Sequence, residues 1–132
     1  MKKSYQGLFI WTILLMAVAI GAVFIPGFTG MQAVRLSLCA CAVLLALLML
    51  MIYVSEKVYW INGVTFEKAV EAGSERRKAF AKKHLTVFAC AAAFFVVISA
   101  FLNAFHMHVM IDTAVFTVIE IIAAVRTIKY KL

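Results

Sequence analysis

The sequence predicts an all-α integral membrane protein: a single domain of 132 residues forming a four-transmembrane-helix bundle in up-down-up-down order. Three observations predict this class. Hydrophobic residues make up 66% of the chain and charged residues only 14%, against roughly 45–50% and about 25% in soluble domains. Four stretches are apolar over about the 20 residues that a spanning helix needs. The basic residues gather on segments that four spans would place on one side of a membrane.

The four predicted spans are separated by turn signals or by short polar segments. They cover residues 8–25, 36–54, 85–102 and 111–128. Pro26-Gly27 ends the first span. The N-terminal lysines and the apolar run behind them are also typical of a signal peptide. That run continues to Ile25 without a polar start of a mature chain, so we expect a retained span.

A helical cytoplasmic segment is predicted between the second and third spans, at residues 55–84. Thr65 is expected to cap a short helix that begins at Phe66. Gly73 is expected to end that helix, and Ser74 to cap the next one. Since nothing interrupts the pattern before Asn103, the third span should project two to three turns into the cytoplasm.

The distribution of positive charge predicts the orientation. Twelve of the thirteen Lys and Arg residues lie on the N-terminus, the 55–84 segment or the C-terminal end, and Arg35 lies on the other side. Basic loops stay in the cytoplasm, so both termini are expected there, in a bacterial-type cytoplasmic membrane. The net charge of +7 therefore reflects topology, and no nucleic-acid partner is expected. Aromatic residues near the same interface agree: Tyr5, Trp11, Tyr53, Tyr59, Trp60 and Tyr130.

Glu120 is the most informative residue, because it lies near the middle of the last predicted span. A charged residue at that depth costs at least about 2.5–3.5 kcal/mol. Thr113, Thr117, Glu120, Ala124 and Thr127 recur at spacings of four and three, which places them on one helical stripe. We expect this stripe to face protein or water. Glu120 is then either a proton or cation site, or a neutral hydrogen-bonding group used in assembly.

Small residues predict where the helices approach one another closely. A stripe on the third span and a small-xxx-small pair on the first span have this pattern, and Ala124 belongs to the stripe of the last span. The predicted packing residues are Ala17, Gly21, Ala89, Ala92, Ser99 and Ala124.

A basic run stands just before the third span and comprises Arg76, Arg77, Lys78, Lys82 and Lys83. Such clusters attract anionic lipids, by about 1 kcal/mol per residue near the surface. Two alternatives stay open: ordinary positive-inside charge, and an acidic surface on a partner protein.

No metal, cofactor or disulfide is predicted. His106 and His108 are the candidates for a metal, but their spacing matches no ligand motif, and the loop favours a polar turn. Cys39 and Cys41 point to nearly opposite sides of a helix, and Cys90 belongs to the other leaflet, so no disulfide framework is expected.

Two stretches, separated by residues 66–74, carry a family resemblance: Ile61-Asn62-Gly63-Val64-Thr65, and the run from Glu75 to Leu85. Together they resemble a loop of small uncharacterised multi-pass bacterial membrane proteins, in which a glycine turn precedes a charged helix that leads into a helical hairpin. The resemblance implies a small bacterial membrane protein and no particular site residue.

Two functions are compatible with these patterns. The first is a non-enzymatic accessory, regulatory or immunity-type module that acts through helix packing and its basic cytoplasmic loop, as a homo-oligomer or with a membrane partner protein. The second is a small oligomeric transporter or channel that uses Glu120 to couple protons or cations. An enzyme is not expected, because no nucleophile–base pair or carboxylate cluster is present.

Overall fold

A computed structural model describes residues 3–27 and 29–132, and within these ranges it contains helices and no strand. Lys2, part of the N-terminal basic block, lies outside them. The helices are α1 (Gln6–Gly21), α2 (Gly30–Ser55), α3 (Phe66–Glu71), α4 (Gly73–Ala104) and α5 (Val109–Ile128), with 3-10 turns at Ala22–Phe24 and Val58–Trp60. An all-helical chain is therefore confirmed.

Three helical stretches are long and apolar enough to cross a membrane: Gln6–Phe24, Gly30–Ser55 and Gly73–Ala104. They match the first three predicted spans. Helix α5 has 20 residues, but Asp112, Glu120 and Arg126 spread three charged residues along it, whereas residues 85–102 of α4 contain none. Its position as a fourth span remains a prediction.

Helix α2 is the central element, because it packs against α1, α4 and α5, most extensively against α4. It begins six residues before the predicted span, at a capping box that sequence reasoning missed. The Thr29 hydroxyl accepts from the Gln32 N–H at 3.3 Å, and the Gln32 side chain accepts from the Thr29 N–H at 3.1 Å. Two otherwise unpaired donors are thereby satisfied.

The segment between α2 and α4 follows the prediction with one exception. Thr65 caps α3 by accepting from the Lys68 N–H at 3.3 Å, and α4 continues unbroken to Ala104. The predicted cap at Ser74 is wrong. The cap position is Ala72, and the chain turns from α3 into α4 through Gly73, at a φ of +72°. The Ser74 hydroxyl instead donates to Glu56 at 2.7 Å.

Two apolar clusters hold the helices together. In the middle of the molecule, Ala42 of α2 packs with Ala92 and Phe95 of α4, and Phe116 of α5 meets the Phe95 ring edge to face at 5.2 Å. The larger cluster lies where the connecting segment packs on α2 and α4, and comprises Leu48, Ile52, Val58, Tyr59, Ala69, Phe80 and Ala81.

Helix α1 packs at the periphery and contributes no buried residue of its own. Two hydrogen bonds join α1 to α2. The Trp11 indole N–H donates to the Leu44 carbonyl at 3.2 Å, and the Ser37 hydroxyl donates to the Ala19 carbonyl at 3.1 Å. Most of its apolar surface therefore faces the surroundings, as lipid contact would require.

Candidate functional sites

Arg35 and Asp112 form a buried ion pair that sequence reasoning did not predict. The guanidinium is bidentate: Nε donates to Oδ1 at 3.0 Å and Nη2 to Oδ2 at 2.6 Å. The Ser99 hydroxyl also donates to Oδ1, at 2.6 Å. The Asp112 side chain is 0% exposed. A planar fork matched to a carboxylate is the strongest geometry such a pair adopts.

Arg35 extends this network to the connection between α4 and α5. Its Nη1 donates to the Asn103 side chain at 2.7 Å, and its Nη2 to the Met107 carbonyl at 2.9 Å. One side chain of α2 thus joins α4, α5 and the loop between them. We call this end of the molecule the Arg35 end. The charged groups at this end are paired with each other, so we interpret the pair as structural.

A signal for this pair is present in the sequence. Arg35 directly precedes the second predicted span and Asp112 is the second residue of the last one, so the predicted topology places both at the same membrane surface. Opposite charges at one depth attract strongly where water is scarce. The charge asymmetry identifies Arg35 only as the exception among the basic residues and does not connect it with an acidic partner.

The predicted stripe on α5 is only partly covered by the rest of the chain. Thr127 is buried and Glu120 is half-buried, whereas Thr113, Thr117 and Ala124 are exposed. What the exposed residues face in the membrane remains a prediction. The side of α5 that does pack is rotated by roughly a quarter turn and consists of Asp112, Val115, Phe116, Ile119, Ala123 and Thr127.

Within the described residues no hydrogen bond or ion pair reaches the Glu120 carboxyl, and the two threonine hydroxyls are turned to the backbone. Thr117 donates to the Thr113 carbonyl at 2.8 Å, and Thr113 donates to the Val109 carbonyl at 3.2 Å. Residues 113, 117, 120 and 124 therefore form an open surface, which we call the α5 stripe. Its role in ion binding or assembly remains a prediction.

The small residues predicted to mediate packing divide into two groups. Ala92 and Ser99 are buried on the packed side of α4. Ala17, Ala89 and Ala124 are exposed in the single chain, and Gly21 is half-buried. A side chain added at Gly21 would meet no atom within 4 Å, so no neighbour in the chain requires a glycine there.

The basic run also separates into structural and free residues. Arg77 donates to the Glu56 carboxylate from Nη2 at 2.7 Å and from Nε at 3.0 Å, and to the Ala69 carbonyl at 2.9 Å. Lys78 approaches the same carboxylate at 3.5 Å. Hydrogen bonds from Ser74 and then Arg77 lower the pKa of Glu56 below its ordinary value, so the pair persists at neutral pH.

Glu56 adopts a left-handed conformation, with a φ of +56°, at the end of α2. Its bonds to Arg77 therefore fix the turn that leaves the helix. Arg76 and Lys82 are exposed, and Lys83 lies over the Tyr130 ring at 5.9 Å. Of the five predicted anion-binding residues, Arg76 and Lys82 are the freest to meet a partner.

A cavity of about 760 Å³ opens beside this region. The Ile61–Val64 turn, α3, the start of α4 and the end of α5 surround it. Lys68, Arg76 and Lys131 line it together with Glu71. His84, which is 3% exposed, forms part of the wall, and its Nδ1 donates to the Phe80 carbonyl at 3.1 Å. We call this space the basic cavity. The end of the molecule that contains it, together with the apolar cluster around Tyr59, is called the Tyr59 end.

The remaining candidates are two histidines and three cysteines. His106 and His108 are both exposed; the His108 Nδ1 accepts from the Met110 N–H at 3.3 Å and so caps α5. In residues 3–27 and 29–132 no group of three or more His, Cys, Asp or Glu side chains could hold a metal ion. Cys39, Cys41 and Cys90 are free thiols.

Neither a protein-family model, nor a curated protein, nor a solved structure matches this chain. Its function has to be argued from the sites themselves.

Proposed function

We propose that the protein is a four-span membrane module that acts without catalysing a reaction, as an accessory or regulatory protein assembled from copies of itself through the α5 stripe. Helices α1, α2, α4 and α5 alternate across a bacterial-type cytoplasmic membrane, and both termini are cytoplasmic. The observation that carries the proposal is the open polar stripe around Glu120 on a helix whose other exposed residues, apart from Arg126 in its last turn, are apolar.

Contacts at the two ends support this topology. At the Tyr59 end, the Tyr59 hydroxyl donates to the Ser4 carbonyl at 3.0 Å, and the Tyr130 ring lies 5.4 Å from that of His84. The N-terminus, the middle segment and the C-terminal end thus share contacts. Arg35 and Asp112 meet at the other end. Alternating spans would produce this grouping.

The stripe needs a partner if α5 lies in a membrane. A carboxyl group that faces lipid is costly near the bilayer centre, whether it stays charged or takes up a proton without a hydrogen-bond partner. Residues 113, 117 and 124 are small enough for another backbone to come close. A second transmembrane helix would cover Glu120 and supply the missing hydrogen bond.

A second copy fits this face for a geometric reason. In a two-fold dimer whose axis is perpendicular to the membrane, each residue meets its counterpart at the same depth. Glu120 then faces the Glu120 of the other copy, and two carboxyl groups that share a proton satisfy each other. The apolar residues beside the stripe meet the same apolar residues of the other copy at the same depth.

Site-specific photo-crosslinking tests the assembly. A photo-reactive amino acid at position 117 lies on the stripe, whereas at position 118 it lies at nearly the same depth and about 100° around the helix. We expect a dimer adduct from position 117 in native membranes and after purification, and much less from position 118. Glu120→Ala should reduce the adduct at least several-fold. Equal adducts from both positions, or none, would refute the proposal, and an adduct with a different protein would identify another partner.

The second candidate function is proton- or cation-coupled transport. The observation that favours it is the Glu120 carboxyl itself, which has no hydrogen-bond partner in the described chain and is therefore available to an ion. In proteoliposomes loaded with a pH-sensitive dye, this function requires a proton flux that Glu120→Gln abolishes while the helical content stays unchanged. The absence of flux from the wild-type protein would remove it.

A further inference from the structure

We infer that the basic cavity binds a phosphate group, carried either by an anionic lipid headgroup or by a soluble phosphate compound. The site consists of Lys68, Arg76 and Lys131 around the cavity at the Tyr59 end. It is separate from the α5 stripe and does not depend on the assembly proposed above.

The charge balance of the cavity favours an anion. Lys68 comes from α3, Arg76 from α4 and Lys131 from the segment after α5, so three separate elements each direct a cationic residue to one space. Within the described residues none of the three forms an ion pair, and Glu71 is the one acidic side chain of the lining. Three cations around a concave site raise the local potential, which a phosphate would neutralise.

Several other basic residues at this end contact side chains of the protein itself. Arg77 forms an ion pair with Glu56, and Lys57 and Lys83 lie over aromatic rings at 4.9 and 5.9 Å. The three cations of the cavity have no such contact among the described residues, and together they line one space. A guanidinium together with two ammonium groups is a set suited to phosphate oxygens.

The size and walls of the cavity favour an amphiphilic ligand. Its volume of about 760 Å³ falls within the roughly 300–1,000 Å³ of small-molecule sites. The lining also contains apolar side chains, among them Ile61, Val64, Phe80, Ile128 and Leu132. The end of α5 belongs to this wall, so in the proposed topology the cavity lies at the cytoplasmic interface. Basic pockets in that position bind lipid headgroups.

The test compares two triple variants that lose the same charge. The cavity variant is Lys68→Gln, Arg76→Gln and Lys131→Gln. The control variant is Lys82→Gln, Arg126→Gln and Lys129→Gln, which removes three exposed cations from the same end without touching the cavity lining. Native mass spectrometry in mild detergent counts phosphatidylglycerol molecules retained per chain, with phosphatidylcholine as the neutral probe. Titration calorimetry with inorganic phosphate tests the soluble source, and circular dichroism checks the fold of each variant.

We expect the wild type and the control variant to retain one phosphatidylglycerol in preference to phosphatidylcholine, and the cavity variant to bind it at least tenfold more weakly. Binding of inorganic phosphate without lipid preference, lost in the cavity variant alone, would support the site and identify a soluble ligand. Equal weakening in the two variants would overturn the inference, because it would show diffuse attraction to the basic face. So would the absence of binding to both probes.

A variant that fills the cavity without changing its charge tests whether the ligand lies inside the cavity. Ala72 lines the cavity, and Ala72→Phe would fill part of the space. We expect this variant to lose the retained anion as well. Retention by a folded Ala72→Phe protein would also overturn the inference, since the ligand would then lie outside the cavity.

Discussion

At the scale of single residues, the Arg35–Asp112 pair carries the sharpest expectation. Arg35→Ala removes every charged partner of a carboxylate that is 0% exposed, and Ser99 alone remains to bond it. Leaving one member of a buried pair unpaired costs about 3–5 kcal/mol. We expect a loss of that size in the free energy of unfolding, measured by denaturant titration in detergent, whereas Lys129→Ala on the surface should change it by less than about 0.5 kcal/mol.

The double variant Arg35→Leu with Asp112→Leu shows whether that loss comes from the unpaired charge. With both ionised groups absent, no buried charge is left, and apolar replacement of such pairs is often close to neutral. The double variant should therefore be more stable than Arg35→Ala. If it loses the full sum of the two single substitutions, the pair contributes through its own bonds and the explanation from an unpaired charge is wrong.

At the scale of helices, two glycines of α1 should respond to alanine in opposite directions. A side chain at Gly7 would come within 2.6 Å of the Trp60 ring. The Trp60 indole N–H donates to the Ser4 carbonyl at 3.0 Å, and Lys57 lies over the ring. Since the ring is held on two sides, Gly7→Ala should cost roughly 1–3 kcal/mol through overpacking.

Gly21 lies in open space with helical backbone angles, a φ of −63° and a ψ of −31°. Gly21→Ala should stabilise the protein by up to about 1 kcal/mol, because alanine is the better helix former. The same detergent titration measures both variants. Destabilisation by Gly21→Ala would show that this glycine packs against a neighbouring helix, as the small-xxx-small pattern had predicted.

The helices could be predicted from the sequence because their signals are local. Apolar length placed α1, α2 and α4, and Thr65 was recognised as a cap from its position before Phe66. The side of α5 that packs against the other helices could not be predicted in the same way. Periodicity defines its polar stripe but does not show what that stripe contacts, and the chain packs the neighbouring side, where Asp112 binds Arg35 and Phe116 meets Phe95. Such pairings depend on residues from other helices, which periodicity along one helix does not contain.

The basic cavity illustrates the same limit for the candidate sites. The sequence run identified Arg76 together with Arg77, Lys78, Lys82 and Lys83 as one cluster. In the fold, Arg77 turns to Glu56, and Arg76 joins Lys68 and Lys131 from distant parts of the chain. A cluster in sequence thus becomes two sites in space, and only tertiary structure shows which cations share a cavity.

At the scale of the whole molecule, the ion pair strengthens the charge asymmetry that predicts orientation. Arg35 is the one basic residue outside the three basic blocks of the sequence, and Asp112 neutralises it. The Arg35 end therefore presents no unpaired lysine or arginine among the residues that the structure describes. The Tyr59 end contains Lys68, Arg76, Lys82 and Lys131, and moving these across a membrane would be costly.

This asymmetry predicts which positions a membrane-impermeant maleimide reaches on intact cells. In a background without the native cysteines, His106→Cys at the Arg35 end should be labelled from outside. Glu75→Cys and Lys129→Cys, both exposed at the Tyr59 end, should react only after the cells are opened. If α5 does not cross the membrane, His106→Cys and Lys129→Cys will behave alike, because α5 alone separates them. External labelling of Glu75→Cys would reverse the orientation and place the basic cavity away from the cytoplasmic lipids that we expect it to bind.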